Sequence, residues 1–141
     1  MKLNITSLSR LRGVHPDLVR VVLRCADDWK DKDTGFIVTQ GVRTLEEQKL
    51  LVKKGASKTL RSRHLKAPNG YAHAVDLAVV LKGAVTWHWP LYDRLAKAMK
   101  AAAKAEKVPL EWGGDWLKFK DGPHFQLPWK EYPGLKTGVK K

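Results

Sequence analysis

Apolar residues recur at helical spacing in three stretches of the chain, and each stretch has an identifiable start. The first begins at Pro16, because proline is tolerated at the first position of a helix. The second follows Thr44, which forms a capping box with Glu47, and it ends at Gly55. The third begins at Pro90. The residues that share its apolar side are Leu91, Leu95, Ala98, Met99 and Ala102.

The remaining apolar stretches have the composition of β-strands. Phe36 to Thr39 is aromatic and β-branched, and His73 to Leu81 is strongly apolar, with Asp76 as its only charge. A last strand runs from His124 to Leu127, and in it His124 and Gln126 share a face. Shorter strands are predicted at Val85-Thr86 and Leu110-Glu111-Trp112. This mixture predicts an α+β fold, in which a short, mostly antiparallel sheet packs against about three helices.

Length and composition predict a single small domain. A chain of 141 residues with 43% hydrophobic content is sufficient for one compact core. Proline, glycine and lysine residues near the end predict a basic tail, so we assign the domain to residues 1–135 and the tail to residues 136–141. Residues 56–71 have no periodicity and form a long loop, which in a compact domain is usually functional.

The charge of the chain is strongly positive. The sequence has 27 Lys and Arg residues against 14 Asp and Glu residues, a formal net charge of +13 and a pI near 10.0. Such a field attracts polyanions, among them nucleic acids, anionic lipids and carboxylate-rich cell walls. A basic nucleic-acid-binding module is therefore one alternative, although no helix-turn-helix, cold-shock or zinc-finger pattern is present.

Signals for membrane insertion, export and disulfide formation are not found in the sequence. No stretch reaches the roughly 18 consecutive apolar residues of a membrane helix. Residues 1–12 lack the apolar core of a secretory signal. Cys25 is the single cysteine, so we expect no intrachain disulfide and a buried, unreactive thiol.

Three residues in separate segments have the chemistry of a metal site. Asp76 is an ionisable group in an apolar strand, where it is costly unless it is paired or bound to metal. With His64 and His124 it supplies one oxygen and two nitrogens, and catalytic zinc usually has three protein ligands and one open position. Asp121 precedes His124 closely enough to accept a proton from water and return it to a leaving amine. Spacing alone leaves open the alternative that these are ordinary structural residues.

Several separated motifs resemble one family of zinc peptidases. The motifs are Ser62-x-His64, Ala72-x-Ala74-x-Asp76, Asp121-x-x-His124, Gln40-Gly41-Val42-Arg43-Thr44 with Gln48, and Trp112-Gly113-Gly114-Asp115-Trp116. They are similar to those of the family that includes D-alanyl-D-alanine carboxypeptidases and phage L-alanyl-D-glutamate endopeptidases. The last motif resembles the endolysin branch in particular. Agreement of several motifs over residues 36–127 is far more specific than any single one.

The resemblance implies a role for each matching residue. His64, Asp76 and His124 bind Zn²⁺ on the sheet, and Asp121 is the general base and acid. Arg43 binds a substrate carbonyl or carboxylate, which suits the planar fork of its guanidinium. The residues implied to bind substrate or to support the ligands are Ser62, Gln48 and Asp115. For Asp115 an equal alternative is that it only satisfies the Gly-Gly turn.

Two departures from the family pattern concern the segment between His64 and Asp76. Ala72 stands where the family has glycine, and Lys66 to Tyr71 has the character of an insertion. The insertion makes His73 a rival of His64, since His73 is nearer to Asp76 in sequence. An odd separation along a strand places two side chains on opposite faces, so we retain His64 as the predicted ligand.

The resemblance implies a phage endolysin that cleaves the L-alanyl-D-glutamate bond in the stem peptides of peptidoglycan. The alternative within the family is a D-alanyl-D-alanine carboxypeptidase, which keeps the metal ligands and differs in the pocket for the substrate carboxylate. Peptidoglycan is then the expected partner, nucleic acid is not, and the positive charge suits contact with an anionic envelope. We expect a monomer that is made in the host cytoplasm without a signal peptide and acts on the cell wall after release.

Overall fold

The computed structural model describes residues 1–55, 57 and 61–136. Within these ranges the helices are α1 (Ile5–Arg10), α2 (Pro16–Asp28), α3 (Leu45–Lys53) and α4 (Trp89–Glu106). The strands are β1 (Thr34–Gln40), β2 (Ala74–Leu81), β3 (Ala84–Thr86), β4 (Glu111–Trp112) and β5 (His124–Gln126), and a 3₁₀ helix spans Gly113–Asp115. Residues 137–141 of the predicted tail, and residues 56 and 58–60 of the predicted loop, lie outside this description.

The strands form one antiparallel sheet in the order β1-β2-β5-β4, with β3 paired to β2. The central strand β2 pairs Asp76 with Gln40 on one side and with His124 on the other. The register shifts between Val38 and Gln40, so β1 bulges where it passes Asp76. The predicted α+β fold with a mostly antiparallel sheet is confirmed, and Asp76 lies directly beside His124 across a strand pair.

The hydrophobic core lies between the sheet and the two longest helices, α2 and α4. Val75, Leu77 and Val79 of β2 and Phe125 of β5 belong to this core together with the buried faces of both helices. Side chains alternate along a strand, so the residues between them point to the other face of the sheet. Asp76 therefore points away from α2 and α4, and the sheet separates the candidate site from the core.

The buried face of α4 differs in part from the predicted one. The predicted residues that are fully buried are Leu95, Met99 and Ala102. Leu91 and Ala98 are only partly buried, whereas Tyr92 is buried in the core. The Tyr92 hydroxyl accepts a hydrogen bond from the Val79 amide at 3.1 Å and donates one to the Thr86 carbonyl at 2.8 Å. These two bonds fix the rotation of the helix, a tertiary effect that apolar periodicity does not contain.

The segment after β5 remains anchored to the domain at least as far as Tyr132. The guanidinium of Arg63, which is 4% exposed, donates to the carbonyl oxygens of Leu127 and Tyr132. The Tyr132 hydroxyl donates to the Asp17 carboxylate at 2.7 Å. None of the described helices is long and apolar enough to cross a membrane.

Candidate metal centre

Three side chains from three segments converge on the face of the sheet opposite the core. Asp76 Oδ1 lies 3.1 Å from His64 Nε2 and 3.2 Å from His124 Nδ1. One ligand atom from each residue lies within 4.8 Å of the other two. The strand register explains the Asp76–His124 pair, since these residues are directly opposite one another in β2 and β5. His64 comes from the loop, so its position needs a separate explanation.

Backbone hydrogen bonds at both ends of the loop place His64 beside Asp76. The His73 amide donates to the Arg63 carbonyl at 2.7 Å, and the Arg43 amide donates to the His64 carbonyl at 2.8 Å. Residues 66–71, which have the character of an insertion, fold back on themselves, since the amide of residue 67 donates to the carbonyl of residue 71 at 2.9 Å. The insertion therefore does not increase the distance between His64 and Asp76.

A main-chain carbonyl determines which ring nitrogen of His64 is available to bind a metal ion. Nδ1 of His64 lies 2.8 Å from the carbonyl oxygen of Gly41. A carbonyl oxygen only accepts hydrogen bonds, so Nδ1 carries the proton and Nε2 presents its lone pair to Asp76. Gly41 is required at this position, because a Cβ there would lie 2.0 Å from the carbonyl oxygen of Arg10.

Lone pairs therefore meet at the centre of the cluster. The three atoms at this centre are Nε2 of His64, Oδ1 of Asp76 and Nδ1 of His124. The other ring nitrogen of His124, Nε2, lies 2.7 Å from the amide oxygen of Gln126. Acceptor atoms at such distances repel one another unless a cation lies between them. Two imidazole nitrogens and one carboxylate oxygen are a donor set that zinc uses in open catalytic sites. The residues present thus fit a divalent metal ion.

Protons can take the place of the cation in the metal-free protein. Burial alone raises the pKa of Asp76, but hydrogen bonds with His124 and His64 outweigh burial and hold that pKa well below its ordinary value. Burial likewise lowers the pKa of His124, and the hydrogen bond and negative charge of Asp76 reverse this effect and raise it. A proton and a metal ion at this site would compete for the same nitrogen, so metal binding there would weaken as the solution becomes acidic.

Asp121 lies at the turn that leads into β5, beside the three converging side chains. Its carbonyl accepts the His124 amide at 3.2 Å, and its amide donates to the Gly113 carbonyl at 3.0 Å. A Cβ at Gly113 would lie 2.4 Å from the Asp121 carbonyl oxygen, so the 3₁₀ helix approaches closely because it has glycine there. Burial, followed by the negative charge of Asp76, raises the pKa of Asp121. A raised pKa suits a carboxyl group to take up a proton and release it again.

Arg43 is held against this cluster by two glutamine side chains. Its Nη1 donates to Gln48 Oε1 at 2.7 Å, and its Nε and Nη2 approach Gln40 Oε1 at 3.3 and 3.2 Å. Nη2 also lies 3.7 Å from Asp76 Oδ2. Gln48 is fully buried, and its own amide nitrogen donates to Ser57 Oγ at 2.8 Å. Gln48 therefore orients Arg43.

Ser62 and Asp115, which were both predicted to bind substrate or to support the metal ligands, have different surroundings. Ser62 Oγ accepts the His64 amide at 3.1 Å and so supports the loop that carries this histidine. Asp115 is 56% exposed and pairs with Lys100 Nζ at 2.6 Å. That position favours the alternative in which Asp115 does not orient a metal ligand.

His73 is buried on the other side of the loop and lies outside the cluster. Its ring centroid is 5.3 Å from that of His15, and its Nε2 is 3.1 Å from the side-chain nitrogen of Asn69. Burial, aided by the positive charge of Arg63, lowers the pKa of His73 to about 4. The fully buried ring is thus neutral at physiological pH.

This environment makes the stability of the metal-free protein depend on pH. Between pH 6.5 and about 4 the unfolded chain binds a proton at His73 that the folded protein does not. As the pH falls through this window, His73 should therefore lower the unfolding free energy by about 3 kcal/mol, and His73→Gln should lose that contribution to the slope. Urea unfolding at several pH values measures it. The matched control is His88→Gln at an exposed histidine, and an unchanged slope in His73→Gln contradicts the prediction.

No role was predicted from the sequence for three residues beside the site, which are Trp116, Gln126 and Glu111. The Trp116 ring lies 5.1 Å from the His124 ring. Gln126 contacts His124 directly and reaches Glu111 on the neighbouring strand at 2.6 Å. The only sequence signal for Gln126 was its position two residues after His124, on the same face of the strand.

The cluster opens into a cleft of about 660 Å³, and most of the charged residues that line this cleft are cationic. The cationic residues of this lining are Arg43, Arg61, Arg63, Lys118 and Lys120. Glu111 is the only acidic residue among the described residues that line the cleft. The cleft is therefore complementary to a ligand that carries carboxylates.

Comparisons with known proteins agree with one another. The family model of the phage L-alanyl-D-glutamate peptidase matches residues 1–127. The chain is 38% identical over 117 residues to the L-alanyl-D-glutamate peptidase of Listeria phage A118, which covers 82% of this chain and 39% of that protein. It is 31% identical over 127 residues to the peptidoglycan L-alanyl-D-glutamate endopeptidase CwlK of Bacillus subtilis, covering 81% of this chain and 75% of that protein.

A solved structure has the same fold over nearly the whole chain. The crystal structure of the Serratia marcescens L-Ala D-Glu endopeptidase ChiX is 41% identical, has a TM-score of 0.81 and covers 94% of each chain. The present chain thus spans less than half of the phage A118 relative but most of the other two.

Proposed function

Since the chain belongs to the phage L-alanyl-D-glutamate peptidase family, we propose that it is a zinc-dependent endopeptidase that cleaves the L-alanyl-D-glutamate bond of peptidoglycan stem peptides. The observation that carries this proposal is the convergence of three metal-ligating side chains with Asp121 and Arg43 at one cationic cleft. A metal-dependent hydrolase needs the same parts: a metal site, a proton acceptor beside it and a donor for developing negative charge.

His64, Asp76 and His124 would hold the metal. When bound there, zinc acts as a Lewis acid and allows water to ionise near neutral pH. Asp121 takes the proton of the attacking water and returns it to the amine of the leaving D-glutamate, which its raised pKa favours. Arg43, fixed by Gln48, directs its guanidinium at the carbonyl oxygen on which negative charge develops.

The charge of the cleft supports an acidic substrate. A D-glutamate residue that continues the peptide through one of its carboxyl groups keeps the other carboxylate free, next to the bond that is cleaved. Lys118, Lys120 and Arg61 line the cleft and complement this charge. The three relatives compared above are named for cleavage between L-alanine and D-glutamate, which favours the endopeptidase over a D-alanyl-D-alanine carboxypeptidase.

The same features support the remaining parts of the proposal. All the residues assigned to the metal and to the reaction belong to one chain, which supports action as a monomer. The net charge of +13 suits electrostatic contact with an anionic envelope. We propose that the protein is made in the host cytoplasm and acts on the cell wall after release, with nucleic acid playing no part.

Digestion of purified peptidoglycan tests this function. The protein with zinc should generate new D-glutamyl amino termini, which mass spectrometry identifies, and a chelator should abolish them because the ligands then hold no metal. Release of free D-alanine would instead assign the carboxypeptidase activity. Absence of cleavage together with salt-sensitive DNA binding would support the nucleic-acid-binding alternative and overturn the proposal.

A further inference from the structure

A chain of hydrogen bonds leads away from the metal cluster through two strands. Nε2 of His124 lies 2.7 Å from Gln126 Oε1, and Gln126 Nε2 lies 2.6 Å from Glu111 Oε2. His124 and Gln126 are both buried, at 7% and 6% exposure. Neither Gln126 nor Glu111 contacts the three ligand atoms, and the mechanism proposed above uses neither residue.

Strand register brings these residues together. Gln126 follows His124 by two positions in β5, so the two side chains share a face. Glu111 is directly opposite Gln126 in the pairing of β4 with β5. Asp76 is directly opposite His124 in the pairing of β2 with β5. The face of the sheet thus carries a continuous row of polar side chains from Asp76 to Glu111.

The direction of each hydrogen bond in this row is determined by Glu111, which lies at the end of the row away from the metal cluster. A carboxylate only accepts hydrogen bonds, so Gln126 must turn its amide nitrogen towards Glu111. Its amide oxygen then faces His124, and an oxygen at 2.7 Å requires a proton on Nε2. The lone pair of His124 is consequently on Nδ1, the atom that lies 3.2 Å from Asp76. Arg63 interacts electrostatically with Glu111.

Different groups determine which ring nitrogen of His64 and of His124 carries the proton. A main-chain carbonyl fixes His64, and no side-chain substitution at Gly41 changes that carbonyl's acceptor character. His124 depends on two side chains, so its tautomer can be altered by mutation. Without the row, a proton on Nδ1 would form a hydrogen bond with Asp76 and block the metal.

We infer that Glu111 and Gln126 are positioning residues, which hold the proton of the neutral His124 ring on Nε2 and so leave Nδ1 available to a metal ion. This inference rests on the proposed metal site. Such partners of metal-bound histidines fix ring orientation and typically contribute about 10–100-fold to metal affinity. Glu111 acts through Gln126 and requires no contact with metal or substrate.

Metal affinity of four variants tests the inference. Gln126→Met removes the acceptor at similar size, and we expect zinc affinity to fall about 10–100-fold, as measured by competition with a chromophoric chelator. Glu111→Gln keeps hydrogen-bonding capacity but lets Gln126 reverse its amide, so we expect a loss of about tenfold. Glu46→Gln removes an exposed carboxylate on α3 and is the matched control, with unchanged affinity expected.

A fourth variant restores the direction of the row with different residues. In the double variant Glu111→Lys with Gln126→Glu, the lysine only donates and the new carboxylate accepts from His124 Nε2. We expect its zinc affinity to return to within a few-fold of the wild type. A merely structural role of the pair predicts no such rescue, so double-variant affinity as low as that of Gln126→Met counts against the inference.

Nitrogen NMR of the metal-free protein reads the tautomer directly. Two-bond ¹H–¹⁵N correlations, recorded at a pH that leaves the ring neutral, should place the His124 proton on Nε2 in the wild type and on Nδ1 in Gln126→Met and Glu111→Gln. A wild-type proton on Nδ1 overturns the inference. Because no metal is present, this result does not depend on the proposed function, which fails separately if the wild type binds no zinc.

Discussion

Replacing Asp121 by alanine should lower the rate of peptide-bond hydrolysis by about 10²–10⁴-fold, the usual contribution of a positioned general base and acid. The carboxylate is expected to take the proton from water and return it to the leaving amine, and alanine does neither. Zinc binding should remain close to that of the wild type, since Asp121 is not one of the three converging ligands. Rates on peptidoglycan fragments and metal content per chain are the two measurements.

The Asp121→Ala protein should fold normally. The contacts that hold this turn are the backbone bonds with Gly113 and His124, and the Cβ atom that packs against Gly113 remains in alanine. Asp115→Asn is the matched control, because it removes an exposed carboxylate of the neighbouring 3₁₀ helix, and it should keep nearly full activity. Activity retained in Asp121→Ala, or activity lost to the same extent in Asp115→Asn, would show that Asp121 is not the proton carrier.

Replacing His64 by alanine should abolish zinc binding at concentrations that saturate the wild type. One of three ligands is then missing, and its loss should exceed the roughly 10–100-fold effect of losing a partner of a ligand. His73→Gln should bind zinc nearly as well as the wild type, because His73 contacts Asn69 and His15 on the other side of the loop. Equilibrium dialysis against buffered zinc measures both variants.

The comparison of the two histidines separates the predicted ligand from its rival. Thermal unfolding of each metal-free variant establishes that it is folded at the temperature of the binding experiment. Zinc binding that survives in His64→Ala and disappears in a folded His73→Gln would exchange their roles and contradict the geometry of the cluster.

Local signals in the sequence were sufficient for most of the helices and strands. The Thr44 capping box is present, with the Thr44 hydroxyl accepting the Glu47 amide and Glu47 accepting the Thr44 amide. Pro16 lies at the start of α2, and the apolar run around Asp76 forms the central strand. Signals of this kind depend on a few neighbouring residues, and for that reason they are readable without the fold.

Contacts between residues that are distant in the chain could not be predicted from the sequence. The rotation of α4 depends on hydrogen bonds between Tyr92 and two strand residues, and Tyr132 is held by Arg63 from the loop. Asp115 follows two glycines in a family motif, yet the position of Lys100 on α4 determines which group it meets. A sequence pattern specifies which groups are available but not which of them the chain brings together.

The sequence by itself determined the residue types of the candidate site and, through the alternation of strands, favoured His64 over His73. Only the tertiary structure decided which nitrogen each histidine offers, because the answer depends on acceptors at Gly41 and Gln126. It also joined Glu111 to the site through strand pairing, although this residue belongs to a short strand remote in sequence. The physical reason is that hydrogen-bond direction is a property of a partnered group, and the partners become neighbours only when strand register is complete.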